Sequence, residues 1–212
     1  ESVSRVLDNN EGTAILAEAA DNAGGGAASD NTLVIHELRR RAARSVAIAP
    51  VWDAQAVSVC HMAGLGARLP LRFGGKASAG SGPPVDADVE VIGLATDAWQ
   101  YFGAARVPLG DTAAIRVDGN GDGGIDVILI SSRTQAFSTE LFTHLGLDPA
   151  AYRVFVLKSA QHFAGAFGPL ASLIVRGETG GCCPTEPRRH DYTRLARPIW
   201  PLDPLPEGRA LI

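Results

Sequence analysis

Two acidic residues, Asp21 and Asp30, bracket the stretch DNAGGGAASD, and Gly24, Gly25 and Gly26 stand in a row between them. Three consecutive glycines lose much backbone entropy on folding and bury no side chain, so packing alone gives no reason for them. A bare loop that opens a helix can aim successive N–H groups at an anion. Asp21 and Asp30 would repel a phosphate, however, so a substrate amide, an ammonium group or a metal-bound water is the better guest. A local reading stands equally open: Asp30 capping the next helix, Asn22 taking a turn conformation, and the glycines allowing tight strand–helix packing.

Other reactive residue types lack the spacing their chemistry needs. His36, His61, His144, His162 and His190 are far apart, and no pair has metal-ligand spacing on a helix. Cys60, Cys182 and Cys183 are too few and wrongly spaced for a structural zinc site or a disulfide framework, and are read as reduced and structural. GNGDGG (119–124) matches a dinucleotide fingerprint, but the β-branched run IDVILIS follows it where a helix is required. The same stretch imitates a calcium loop through Asp118, Asn120, Asp122 and Gly123. It fails at Leu129, where a bidentate Glu belongs. A tight hairpin turn accounts for it. GGK (74–76) lacks the upstream glycine and following hydroxyl of a phosphate loop.

The elements that must hold the loop are legible from periodicity. TAILAEAA (13–20) reads as a buried strand running into the glycines. Asp30 stands at an N-cap position before a helix in NTLVIHELRRRAA, whose Arg39, Arg40, Arg41 and Arg44 read as a solvated helix end. SVAIAPV (45–51) is the next strand, and Asp53 caps a helix that Gly64 ends. The middle alternates in ARLPLRF, VDADVEVIGLA, ARVPLG, TAAIRV and IDVILIS, the pattern of an antiparallel meander. GGKASAGSGPP (74–84) reads as a mobile hairpin loop. A helix from Ser138 to Gly146 and a strand at 153–158 follow, and the proline-rich tail is expected to wrap the surface as extended chain.

The expected fold is a single α/β domain with a mixed sheet. Its parts are a leader (1–12), a strand, glycine-loop and helix unit (13–65), a β-rich meander (66–132), an α/β segment (133–180) and an extended tail (181–212). A net charge of −4 argues against nucleic acid or a polybasic membrane patch as partner. No apolar run approaches the roughly 20 residues that span a bilayer, and no secretory leader is visible. The sequence therefore reads as a soluble, cytoplasmic segment of a longer chain, with homo-oligomerisation left open.

ADNAGGGAASDNT resembles the A-D-N-P-G-G-G-x-x-x-D-S/T signature in the C-terminal half of the microcystinase C (MlrC-like) metallopeptidase family. APVWDAQAV, CHMAGLGARLPLRFGGK, SSRTQAF, LKSAQHFAGAFGP and RPIWPLD match in the same order, so the resemblance runs from about residue 13 to residue 203. Ala23 replaces the proline of the signature, which frees the loop without removing a chemical group. The resemblance implies a two-part zinc enzyme acting on peptide or amide bonds, with its Asp and His zinc ligands in an N-terminal catalytic domain that this chain lacks. This segment alone would then bind no metal and be inactive. It further implies that Asp21 and Asp30 face the zinc site or substrate, and that Asn22, Gly24, Gly25 and Gly26 shape the wall. Lys158, Ser159 and His162 of the KSAQHF motif would be further substrate-binding candidates. The rival readings are a non-catalytic module that binds a small ligand, and a purely structural domain.

Overall fold

The computed structural model describes residues 1–119, 123–177, 180–189 and 191–204. Eight strands form one sheet in the order β3-β4-β5-β6-β2-β7-β1-β8. They are β1 (Thr13–Glu18), β2 (Val46–Trp52), β3 (Arg68–Phe73), β4 (Val85–Phe102), β5 (Ala105–Val117), β6 (Ile125–Ile130), β7 (Val154–Leu157) and β8 (Ala171–Gly177). Strands β6, β2, β7, β1 and β8 are mutually parallel, whereas β3, β4, β5 and β6 form the expected antiparallel meander. The two halves differ in sequence for a physical reason. IDVILI and VFVL are buried throughout because helices cover both faces of a parallel sheet. RLPLRF alternates between exposed and buried positions because only one face of that hairpin is covered.

Alternate residues of each central strand enter two separate cores. Ala14 and Leu16 of β1 face a cluster with α1 (Ser2–Leu7), α2 (Leu33–Arg40) and α3 (Ala54–Ala63). Ile15 and Ala17 face the second cluster, built with α4 (Glu140–Thr143), α5 (Ala164–Phe167) and the rings of Phe142, Phe155, Phe163 and Phe167. The sheet is thus the middle of three layers. The expected mixed α/β fold is the observed one.

Several local expectations differ from the structure. The presumed leader holds α1, whose Val3 and Val6 are buried in the first core. ASLIVRG, assigned to no element from its pattern, is the edge strand β8 beside β1. ARVPLG and TAAIRV are one strand, β5, with pairing irregularities opposite 95–99 of β4. The helix expected over 138–146 has only four helical residues, followed by turns. Asp30 is not the cap of α2. Thr32 is, and the Asn31 carboxamide accepts from the Leu33 N–H at 2.9 Å. Residues 120–122 of the GNGDGG turn lie outside the described residues. The 74–84 loop is tied down rather than loose: the Gly75 N–H donates to the Asp30 carbonyl at 2.8 Å, and the Thr32 N–H donates to that of Ser81 at 2.9 Å.

Candidate functional site

A parallel sheet brings the carboxyl ends of its strands to one rim, where ligand sites of open α/β folds form. Here that rim gathers the glycine loop after β1, Trp52 and Asp53 at the end of β2, Arg133 and Gln135 after β6, Lys158 to His162 after β7, and Gly181 to Cys183 after β8. Residues far apart in the chain meet there because the topology lays their strands side by side.

The glycine loop closes on itself. Ala23–Gly25 make one 3₁₀ turn capped by Asn22, whose side-chain oxygen accepts from the Gly24 N–H at 2.9 Å. The Gly25 and Ala27 amides donate to the Asn22 carbonyl at 3.0 and 3.2 Å, and the Gly26 amide donates to that of Ala23 at 3.0 Å. The expected nest of free N–H groups is therefore not formed, because the turn consumes them. The glycines answer to geometry instead. A Cβ on Gly24 would overlap the Gln135 carboxamide, and Gly26 has φ +100°, which L side chains rarely adopt. Their outer surface is exposed.

Asp21 is held inside. Its two oxygens accept from the Ser29 amide at 2.9 Å, the Asn31 amide at 2.7 Å and the Lys158 ammonium at 2.8 Å. Lys158 also donates to Glu18 at 2.9 Å and to the Asn31 carbonyl at 3.0 Å, so all three of its protons are engaged. Burial favours the neutral amine, but Glu18 and Asp21 outweigh it and the Lys158 pKa lies above its usual value. A buried cation between two carboxylates thus locks the start of the loop to the end of β7.

Asp30 is 1% exposed and differs from Asp21 in its partners. Its Oδ2 accepts from the Lys76 and Ala77 amides, both at 2.7 Å, while its Oδ1 has no hydrogen-bond partner among the described residues. Asp53, close by, is saturated. It caps α3 through the Ala56 N–H at 3.1 Å, and accepts from the Gly74 amide at 2.9 Å and from the Lys76 ammonium at 2.8 Å.

Gln135 joins the other candidates. Ser159 donates to its side-chain oxygen at 3.1 Å, and His162 Nδ1 lies 3.4 Å from the same atom. The His162 ring is exposed and packs edge-on against Phe102, with Phe137 beside it. Lys158 and Ser159 are buried, and His162 alone of the three reaches the surface.

Two adjoining clefts share Trp52 and Ala77 at this rim. One, of about 370 Å³, is lined by Asp21, Gly26, Arg133 and Cys182 among others; the second, of about 290 Å³, includes Asp30, Asp53 and Lys76. A larger groove of about 700 Å³ lies near the opposite rim, but most of its charges are already in ion pairs, as in Arg39–Asp118 and Arg68–Glu90 at 2.8 Å. The carboxyl-end clefts are the better site because loops at the ends of parallel strands line them. Among the described residues no three His, Cys, Asp or Glu side chains come together to hold a metal ion, so these residues do not fit a zinc site of their own.

The model for "MlrC C-terminus" matches residues 16–194. The chain belongs to the MlrC C-terminus family. It is 32% identical over 191 residues to microcystinase C of Sphingomonas sp, an alignment covering 90% of this chain and 36% of that protein. The fold is shared with a candidate metallopeptidase of Mesorhizobium sp. BNC1 solved by crystallography. That match has a TM-score of 0.79 at 21% identity and covers 97% of this chain and 41% of the other. The chain thus spans well under half the length of both relatives. No described helix is long and apolar enough to cross a membrane.

Within this family domain, the sequence reading overlooked Trp52, Asp53, Lys76, Arg133 and Gln135 as rim residues. A signal existed. VWDAQAV ends one strand and SSRTQAF follows another, just as the glycine loop follows β1, so loops after parallel strands carry equal weight; Lys76, after the antiparallel β3, had no such signal.

Proposed function

We propose that this MlrC-family domain forms one wall of a substrate cleft in a zinc metallopeptidase that hydrolyses peptide or amide bonds, the zinc ligands lying in an N-terminal catalytic domain outside this chain. The observation that carries the reading is the convergence of the loops after β1, β2, β6 and β8, with the 74–84 loop, on adjoining clefts lined by an indole and an exposed guanidinium. Ligand sites tend to form where domains meet. In this reading Trp52 contacts the substrate, and Asp30 fixes the 74–84 loop against the cleft through the Lys76 and Ala77 amides. Asp21, Asn22, Lys158, Ser159 and the three glycines hold the wall in shape, and Arg133 and His162 offer donors at its edge. A wall of this kind orients a peptide and excludes water; metal chemistry belongs to the other domain.

The test is hydrolysis of a linear peptide by the full-length protein, with Asp30→Asn and Arg133→Ala compared with the parent. Loss of correct positioning predicts a fall of about 10²-fold in kcat/KM with unchanged metal content, in variants shown by circular dichroism to be folded at the assay temperature. Parent-like turnover by both folded variants refutes the assignment.

A further inference from the structure

We infer that Cys182 and Cys183 form a dithiol site at the mouth of the cleft, one that captures a trivalent arsenic centre carrying a single organic group. Neighbouring side chains of an extended chain point to opposite faces, which would hold two adjacent sulfurs apart. Here the chain bends at both residues, and the two Sγ atoms lie 3.9 Å from each other. Three contacts fix the bend. The Cys183 N–H donates to the Ala20 carbonyl at 3.1 Å, and the Cys183 thiol donates to that of Gly25 at 3.1 Å. Gly181 lies so close that a Cβ there would fall 2.2 Å from the Ala20 oxygen. Neither cysteine is sealed, since Cys182 is exposed and Cys183 half-buried, whereas Cys60 is buried in the first core.

The spacing selects the guest. A soft centre bonded to both sulfurs at about 2.3 Å, the length of a metal–thiolate bond, spans about 3.8 Å at a tetrahedral angle. A disulfide fits worse, because adjacent Cα atoms stand about 3.8 Å apart and an unstrained bridge needs at least about 4.4 Å. A structural zinc ion asks for four protein ligands, and among the described residues no third His, Cys, Asp or Glu joins the pair. A monosubstituted arsenical needs two sulfurs and no more. Its two As–O bonds break and two As–S bonds form, each hydroxyl leaving as water with one thiol proton, so no oxidant or reductant takes part. Burial, and then the contact with Cys182, raise the Cys183 pKa, which keeps that proton in place for the condensation. Cys182 lines the cleft of about 370 Å³ together with Ala28, Trp52 and Ala77, apolar surface for the organic group.

The experiment is titration of this chain with phenylarsine oxide, read by native mass spectrometry and by thiol counting. One arsenic per chain is expected, with two of the three thiols lost and Cys60 left to react after denaturation. A dithiol such as 2,3-dimercaptopropanol should release it, and mercaptoethanol at the same concentration should not. Cys182→Ser and Cys183→Ser, the second keeping a donor for the Gly25 carbonyl, should each bind at least about 100-fold more weakly once the second sulfur is gone. Release by the monothiol, loss of a single thiol per arsenic, or unaltered binding by either variant overturns the inference. Inhibition of peptide hydrolysis in the full-length protein, reversed by the dithiol, is expected as well; that arm alone rests on the proposed function, and its failure beside intact capture counts against the cleft assignment.

Discussion

Replacing Lys158 by Met exposes the strongest electrostatic constraint at the rim. Met fills the same channel but removes the ammonium that Glu18 and Asp21 share, and leaves the Asn31 carbonyl without one of its donors. Breaking a buried pair from one side costs about 3–5 kcal/mol. Proton uptake sets a ceiling on part of this, because a Glu with reference pKa near 4.3 becomes neutral at pH 7 for about 4 kcal/mol. That escape route becomes easier by about 1.4 kcal/mol for each unit the pH falls. The parent behaves differently. Its Lys158 pKa is raised from 10.5, so the ammonium contributes fully below that value and is lost only as pH rises beyond it. From pH 8 to 5 the parent contribution is flat, while the variant, holding a carboxyl with raised pKa, regains stability as pH falls. At about 2–4 °C per kcal/mol for a chain of this size, Tm should drop by about 8–16 °C at pH 7 and by about half as much near pH 5.5. Thermal unfolding followed by circular dichroism at three pH values measures this. A variant within about 2 °C of the parent at pH 7, or a gap that widens on acidification, refutes the account.

Three further outcomes follow from buried groups and from the loop. Burial pushes the Cys60 thiol up to about 11, aided by the Asp53 charge, so a thiol reagent at pH 8 should leave Cys60 unmodified in native protein and label it only after denaturation. Tyr152 has its pKa raised by burial, then by Asp126, to which its hydroxyl donates at 2.8 Å. The unfolded chain releases that proton near pH 10 and the folded chain does not, so its stabilisation is full below pH 10 and declines above it; an ultraviolet titration should show Tyr152 ionising only with unfolding. Gly24→Ala drives a methyl into Gln135, which can yield only by giving up Ser159, and should cost about 1–3 kcal/mol. Gly25→Ala meets Cys183 Sγ at 3.4 Å and should cost under about 0.5 kcal/mol, and a denaturant titration of both variants measures the difference.

The glycine loop shows how far sequence reasoning reached. The strand, turn and helix order was legible because each has local causes: an apolar run, residues without Cβ, a polar cap. The direction of the loop amides was not, because Asn22 or a ligand satisfies them equally well on paper, and only the Asn22 conformation decides. Asp30 illustrates the same limit. Its position before a helix suited a cap, yet the 74–84 loop lies against it and its carboxylate bonds there, across more than 40 residues of chain. The edge strand β8 went unread because a strand exposed on one side, directly after a helical turn, carries little period of its own.

The sequence by itself determined the family, the mixed α/β class, the meander and the segments that end at the site, all of which follow from short-range pattern and ordered motifs. Tertiary structure alone decided that Lys158 bridges Glu18 and Asp21, that Lys76 answers Asp53, and that Asp30 bonds the 74–84 loop instead of capping a helix. Charge pairing depends on distance in space. A parallel sheet sets those distances by placing β1 beside β7 although 135 residues separate the end of one from the start of the other, counted from Glu18 to Val154.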